Sequence, residues 1–113
     1  MPWSATRHAS ENIVHVRYSL ELSVDDGDQS LKRVLELMGT DDCHLEFDLR
    51  DMLGYQTGAR VAWQRGLWAN RKRVLSFGLI GGKPLLRQAA QMIGFVLGIK
   101  VRSVDAPPSS EVA

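Results

Sequence analysis

Two carboxylates in "CHLEFDL" (residues 43–49), Glu46 and Asp48, share one face of a predicted strand and could work as a pair, with Asp51 just beyond. General acid–base catalysis also needs a perturbed environment and a partner base. The spacing brings no histidine, cysteine or serine to them, so the chain reads as a non-enzyme. The cluster Asp25, Asp26 and Asp28 lacks the ligand spacing and distal glutamate of a calcium loop; it reads instead as acids at a helix start. His8, His15, His44 and the lone Cys43 are scattered without the paired spacing of zinc ligands. No metal and no cofactor is therefore expected, and Cys43 reads as a small buried hydrophobe.

Two further sets could bind rather than react. In "GLIGGKPLLR" a Gly81-Gly82-Lys83 turn opens a helix, where backbone N–H groups can cradle phosphate. The P-loop spacing fails, because Phe77 stands where the first glycine belongs and no hydroxyl residue follows Lys83. A tight turn with a solvated lysine is the plainer reading, and these three residues stay as a ligand-binding candidate. The basic string "NRKR" (70–73), with Arg60, Arg65 and Arg87, is too narrow for nucleic acid and suits cations near a helix C-terminus. Trp68 beside these arginines fits a protein-interface anchor.

The stretch "DLRDMLGYQTGAR" (48–60) sets a hydroxyl before a helix. Thr57 can cap the orphan N–H groups there. A phosphate on it would be stabilised by the helix N-terminus and would add nearly two negative charges to an exposed surface, with Arg60 one turn away.

These residues need a scaffold. "NIVHVRYS" (12–19) and "LELSV" (20–24) alternate with strand period and suggest a hairpin or one bent pair. Leu31, Val34, Leu35 and Met38 make one helical face ending at Gly39. Residues 43–49 form the third strand, 57–72 a second helix with Ala59, Ala62, Trp63, Gly66 and Leu67 inward, and 73–82 a nearly all-apolar strand suited to a position covered on both faces. Pro84 opens a third helix carrying Leu85, Leu86, Ala89, Ala90, Ile93 and Leu97, and residues 99–104 form the last strand. The order β-β-α-β-α-β-α-β predicts an α/β fold with a mostly parallel or mixed sheet and packed helices. Residues 1–11 read as a flexible N-terminus, 12–105 as one domain and 106–113 as a disordered tail.

With 44% apolar residues, 24% charged and a net charge of +1, the totals give no overall pull toward nucleic acid or anionic membrane. No secretory signal is visible, and the longest apolar segment, Ala89 to Ile99, is too short to span a membrane. A cytoplasmic protein is expected.

The order and the 48–58 stretch together resemble the STAS domain, the fold of anti-anti-sigma factors and of the cytoplasmic ends of sulfate transporters. The resemblance covers residues 12 to 104. In that family a strand ending in Asp-Leu leads through a short loop to Asp-Ser-Ser-Gly at the second helix. Here Asp48-Leu49 ends the strand, Tyr55 stands at the Asp position, Gln56 and Thr57 replace the serines, and Gly58 matches. In phosphorylated members the acceptor is the hydroxyl residue before that glycine, so the resemblance gives Thr57 that role. Small, degenerate STAS-like bacterial proteins near the CRAL-TRIO lipid-exchange fold are the nearer comparison.

Three functions remain open. One is a signalling or scaffold module binding a protein (a kinase, a regulator or a STAS-like protein) through the loop 54–58 and the second helix, with Gln56, Thr57, Gly58, Arg60, Gln64 and Trp68 in contact and a switch at Thr57. Another is a binder of lipid or nucleotide at Gly81, Gly82 and Lys83 and the apolar third helix, where Met92 and Phe95 exceed what a core absorbs. The third is self-assembly as a homodimer.

Overall fold

In a computed structural model, residues 2–105 are described. Five strands and three helices alternate: β1 (Trp3–His8), β2 (Ile13–Leu22), α1 (Val24–Met38), β3 (Cys43–Tyr55), α2 (Thr57–Trp68), β4 (Val74–Ile80), α3 (Pro84–Leu97) and β5 (Val101–Val104). The strands lie in chain order in one sheet; β1 pairs antiparallel with β2, and the rest are parallel. Each right-handed crossover steps the same way across the sheet, so all three helices fall on one face, α1 against α2 and α2 against α3. The α/β class and the element order are as the sequence implies.

The first two strands are not where periodicity put them. Residues 3–8, read as loose, form β1: Trp3 and Ala5 pack on the core, and the Arg7 guanidinium donates to the Leu37 carbonyl at 2.7 Å and pairs with Asp41 at 3.0 Å. Residues 13–22 are one strand rather than a hairpin. Its pairing with β3 slips between Arg17 and Ser19 and again between Leu20 and Glu21, and Leu20 takes φ +60. Such bulges bend a strand and shift its phase without turning it. The same slip explains β3, which runs on past Asp48 to Tyr55. Leu49 and Met52 are both buried although three residues apart, which breaks the alternation a sequence reading relies on. The C-terminal tail, 106–113, lies outside the described residues.

The core sits between sheet and helices. Phe47 meets Trp63 edge to face at 5.3 Å and Phe77 at 5.2 Å, and Val14, Leu45, Val34, Met38 and Leu67 fill in around them. Tyr18, also buried there, shares a 2.9 Å hydrogen bond with Ser30 of α1. Among the described residues, the sheet's other face carries no helix. The apolar β4, expected to be covered on both sides, is covered there by neighbouring side chains instead. Gly78 leaves room for them: a Cβ at that position would stand 2.8 Å from Val104 Cγ2 and 3.1 Å from Glu46 Cγ.

Candidate functional site

One residue joins β3 to α2. The Gln56 amide donates to the Leu22 carbonyl at 2.9 Å, which fixes it to the end of β2. Its side-chain Oε1 accepts from the Val24 N–H at 2.9 Å, so Gln56 satisfies an orphan donor of α1. Gln56 also holds the N-cap position of α2, without a side-chain cap bond to that helix. Thr57 is thereby the first helical residue rather than the cap the sequence suggested, because β3 runs on to Tyr55 and the cap position falls on Gln56. Thr57 is exposed. The next position is tight: a Cβ on Gly58 would come within 2.6 Å of Val24 Cγ2, where α1 and α2 start side by side, so Val24 would have to shift.

Along α2, the spacing of Thr57, Arg60, Gln64 and Trp68 sets them on one stripe. Arg60 donates to Gln64 at 2.6 Å. Trp68 closes the far end, about 16 Å from Thr57 at 1.5 Å per residue. It is exposed, with the Arg71 guanidinium 3.9 Å from its ring centroid. Four of the six expected contact residues, Thr57, Arg60, Gln64 and Trp68, therefore share a face but span the whole helix.

The structure also brings together two sets that the sequence kept apart. A groove of about 350 Å³ at the carboxyl ends of the strands is bordered by Thr57 and Tyr55 on one side and by Lys83 and Leu85 on the other, with Glu21 at its edge. Lys83 precedes α3, whose first residue is Pro84. Gly81 and Gly82 take φ +60 and +94, and a Cβ on Gly82 would lie 2.7 Å from Leu49 Cβ. The glycines answer to a tight turn over β3.

A second concavity, missed by sequence reasoning, lies between α2, α3 and the sheet. Its volume is about 70 Å³, and its walls are Tyr18, Leu22, Phe47, Leu49, Met52, Tyr55, Ala59, Trp63, Phe77, Leu86, Ala89, Ala90 and Ile93. Arg60 is the one charged residue in the lining. Burial pushes the Tyr18 hydroxyl well above its ordinary range, against the opposing hydrogen bond of Ser30, so it stays protonated. Short Ala89 and Ala90 opposite large aromatics could have signalled the gap.

The carboxylate pair has more company than the sequence indicated. On the helix-free face Asp48 is clamped by Arg50 through Nε at 2.9 Å, Nη2 at 2.6 Å and the backbone N–H at 3.2 Å. Glu46 pairs with Arg102 at 3.1 Å. Ser76 Oγ accepts from Arg102 Nε at 3.1 Å and lies 2.7 Å from His44 Nδ1. Beyond them Asp51 pairs with Arg17. Ser76 and His44 thus join Glu46 through Arg102, and neither bonds an acid directly. Burial alone would raise the Asp48 carboxyl; the Arg50 hydrogen bonds and charge outweigh it and hold the group below the usual carboxylate range. A carboxylate so held is a poor base. These groups satisfy one another, which is what a polar sheet face needs. Burial raises the Cys43 thiol, the largest influence on it, which leaves it a weak nucleophile.

Strand order, one-sided helices and a helix N-terminus lifted to the carboxyl rim define a SpoIIAA-like fold, that of the STAS domain. Solved structures share it, among them the following two. A crystal structure of an uncharacterized protein of the DUF3478 family with a SpoIIAA-like fold, from Shewanella loihica PV-4, aligns with TM-score 0.68 and 12% identity over 92% of this chain and 84% of that one. The anti-sigma factor antagonist SpoIIAA in its unphosphorylated form aligns with TM-score 0.58 and 9% identity over 97% of this chain and 94% of that one. No family profile and no curated protein matches the sequence. Among the described residues, no helix is long and apolar enough to cross a membrane.

Proposed function

We propose that the chain is a non-enzymatic cytoplasmic module that binds a protein partner through the loop 54–58 and the outer stripe of α2, with Thr57 as a phosphorylation switch. The observation that carries this reading is Thr57 itself. It is exposed at the first turn of α2, outside the capping bonds, and faces Lys83 across a groove with Arg60 one turn on. Phosphate there gains from the helix dipole and two cations, so the fold tolerates it while the docking surface changes sign. SpoIIAA, described as an anti-sigma factor antagonist with an unphosphorylated form, lends support at the level of fold. Affinity capture with the wild type, Thr57→Glu and Gln64→Arg tests it. Partners retained by the wild type are lost from both variants. Equal recovery of every partner by all three removes the switch and the surface.

The apolar cleft favours a second reading, a small apolar ligand held between α2 and α3 with Arg60 at an acidic head group. Native mass spectrometry of protein purified without denaturant separates the two: an adduct lost in Ala90→Trp supports the ligand, and a clean apo mass removes it.

A further inference from the structure

The net charge of +1 conceals a division. Residues 1–51 hold eleven acids against five lysines and arginines, whereas residues 52–104 hold nine cations and no acid. The second stretch builds α2, β4, α3 and β5. Among the described residues, Arg102 with Glu46 is the one ion pair that any of these nine cations makes. Arg87 is held by neutral acceptors, the Gly81 carbonyl at 2.8 Å and Ser103 Oγ at 2.6 Å, so its charge stays uncancelled.

Within this field α3 is apolar nearly all round. Leu86, Gly94 and Leu97 face the sheet, while Phe95 is 87% exposed, Leu85 67%, Met92 50% and Val96 46%. At 100° per residue these four make one outward arc of about 100°, broken by Gln88. Lys83 and Lys100 bracket the helix, and Arg87 stands within its first turn. A soluble helix with an apolar outer face is one whose face is covered.

Charge decides what covers it. A two-fold contact with a second copy would bring two faces of net positive charge together, with Glu21 at the groove as the nearby acid. An anionic bilayer surface fits both properties at once: aliphatic and aromatic side chains enter the head-group region while flanking cations meet the phosphates. We propose that α3 docks the protein onto anionic membrane surface, lying in the interfacial plane with Leu85, Met92, Phe95 and Val96 inserted and Lys83, Arg87 and Lys100 on head groups. Thr57 and its groove open at the same rim as Leu85, so a docked molecule holds the α2 surface beside the membrane.

Co-sedimentation of the full chain with vesicles tests this, using phosphatidylcholine alone and an equal mixture with phosphatidylglycerol. Partition onto the anionic vesicles exceeds that onto neutral ones by about tenfold or more at low ionic strength. It collapses at about 1 M salt, where the Debye length is about 3 Å. Lys83→Ser and Lys100→Ser each weaken it about fivefold, and Phe95→Ser about tenfold. All three side chains are exposed, so unchanged thermal melts show the variants folded. Equal partition onto both vesicles overturns the proposal, as does Phe95→Ser without effect. A stable dimer that Phe95→Ser dissociates also overturns it, assigning the face to a second copy.

Discussion

Trp63→Ala is the sharpest test of how the helices are held over the sheet. Trp63 is 4% exposed and stacks edge to face on Phe47 at 5.3 Å, and it forms one wall of the cleft. Truncating a buried Trp costs about 3–5 kcal/mol. The upper half of that range is expected, because a void of about 70 Å³ already adjoins the side chain and Ala89 and Ala90 are too short to fill more. At roughly 4 °C per kcal/mol for a domain of this size, the melting temperature falls by about 16–20 °C. Urea unfolding of Trp63→Ala, Phe47→Leu and the double variant then isolates the ring pair. A coupling of about 0.5–1.5 kcal/mol is expected for edge-to-face aromatics. A loss below about 1 kcal/mol, or single-variant losses that simply add, would refute the packing described between α2 and β3.

Thr57→Glu leaves stability unchanged or raises it by about 0.3–1 kcal/mol, because a negative charge at the first turn meets the positive end of α2; a fall of more than about 1 kcal/mol in urea unfolding would contradict the exposed placement. Gly82→Ala destabilises by about 1–3 kcal/mol, since φ +94 and a contact at 2.7 Å with Leu49 both oppose a side chain. Gly39→Ala, at φ +56 in open space, costs about 1 kcal/mol, so parity of the two would show that the turn over β3 is loose. Asp48 titrates lower in the folded state than in the unfolded chain, where its pKa is about 3.9. Its contribution is therefore full at neutral pH and is lost as pH falls through the folded value. Stability profiles of the wild type and Asp48→Asn should converge toward acid; a constant gap down to the acid transition would count against the Arg50 clamp.

The alternation of helix and strand from residue 24 onward was legible because α1 carries one clean apolar stripe, Leu31, Val34 and Met38, and because Pro84 and Gly98 bracket α3. The first strand was not. Its "WSATRH" mixes small, polar and aromatic residues, and an edge strand packed on one side needs little more than Trp3 and Ala5. The bulges in the β2–β3 pairing hid the full length of β3, and with it the shift of Thr57 from cap to first turn. The residues around Thr57 could be named from the sequence because they are contiguous. Lys83 across the groove, Ser76 beside His44, and the cleft under α3 come from separate strands and helices, and no local pattern records such meetings. The charge division was on the page in the sequence, but a whole-chain total averages it away.

Gln56 carries a further consequence. With its backbone tied to β2 and its amide oxygen tied to α1, the only residue between β3 and α2 has no slack to swing. Whatever is added to or removed from the neighbouring hydroxyl must then be sensed by an incoming molecule as altered electrostatics on a fixed template, not as a refolded hinge. Replacing Gln56 with alanine would loosen that joint, and the same chemical mark would begin to move the backbone.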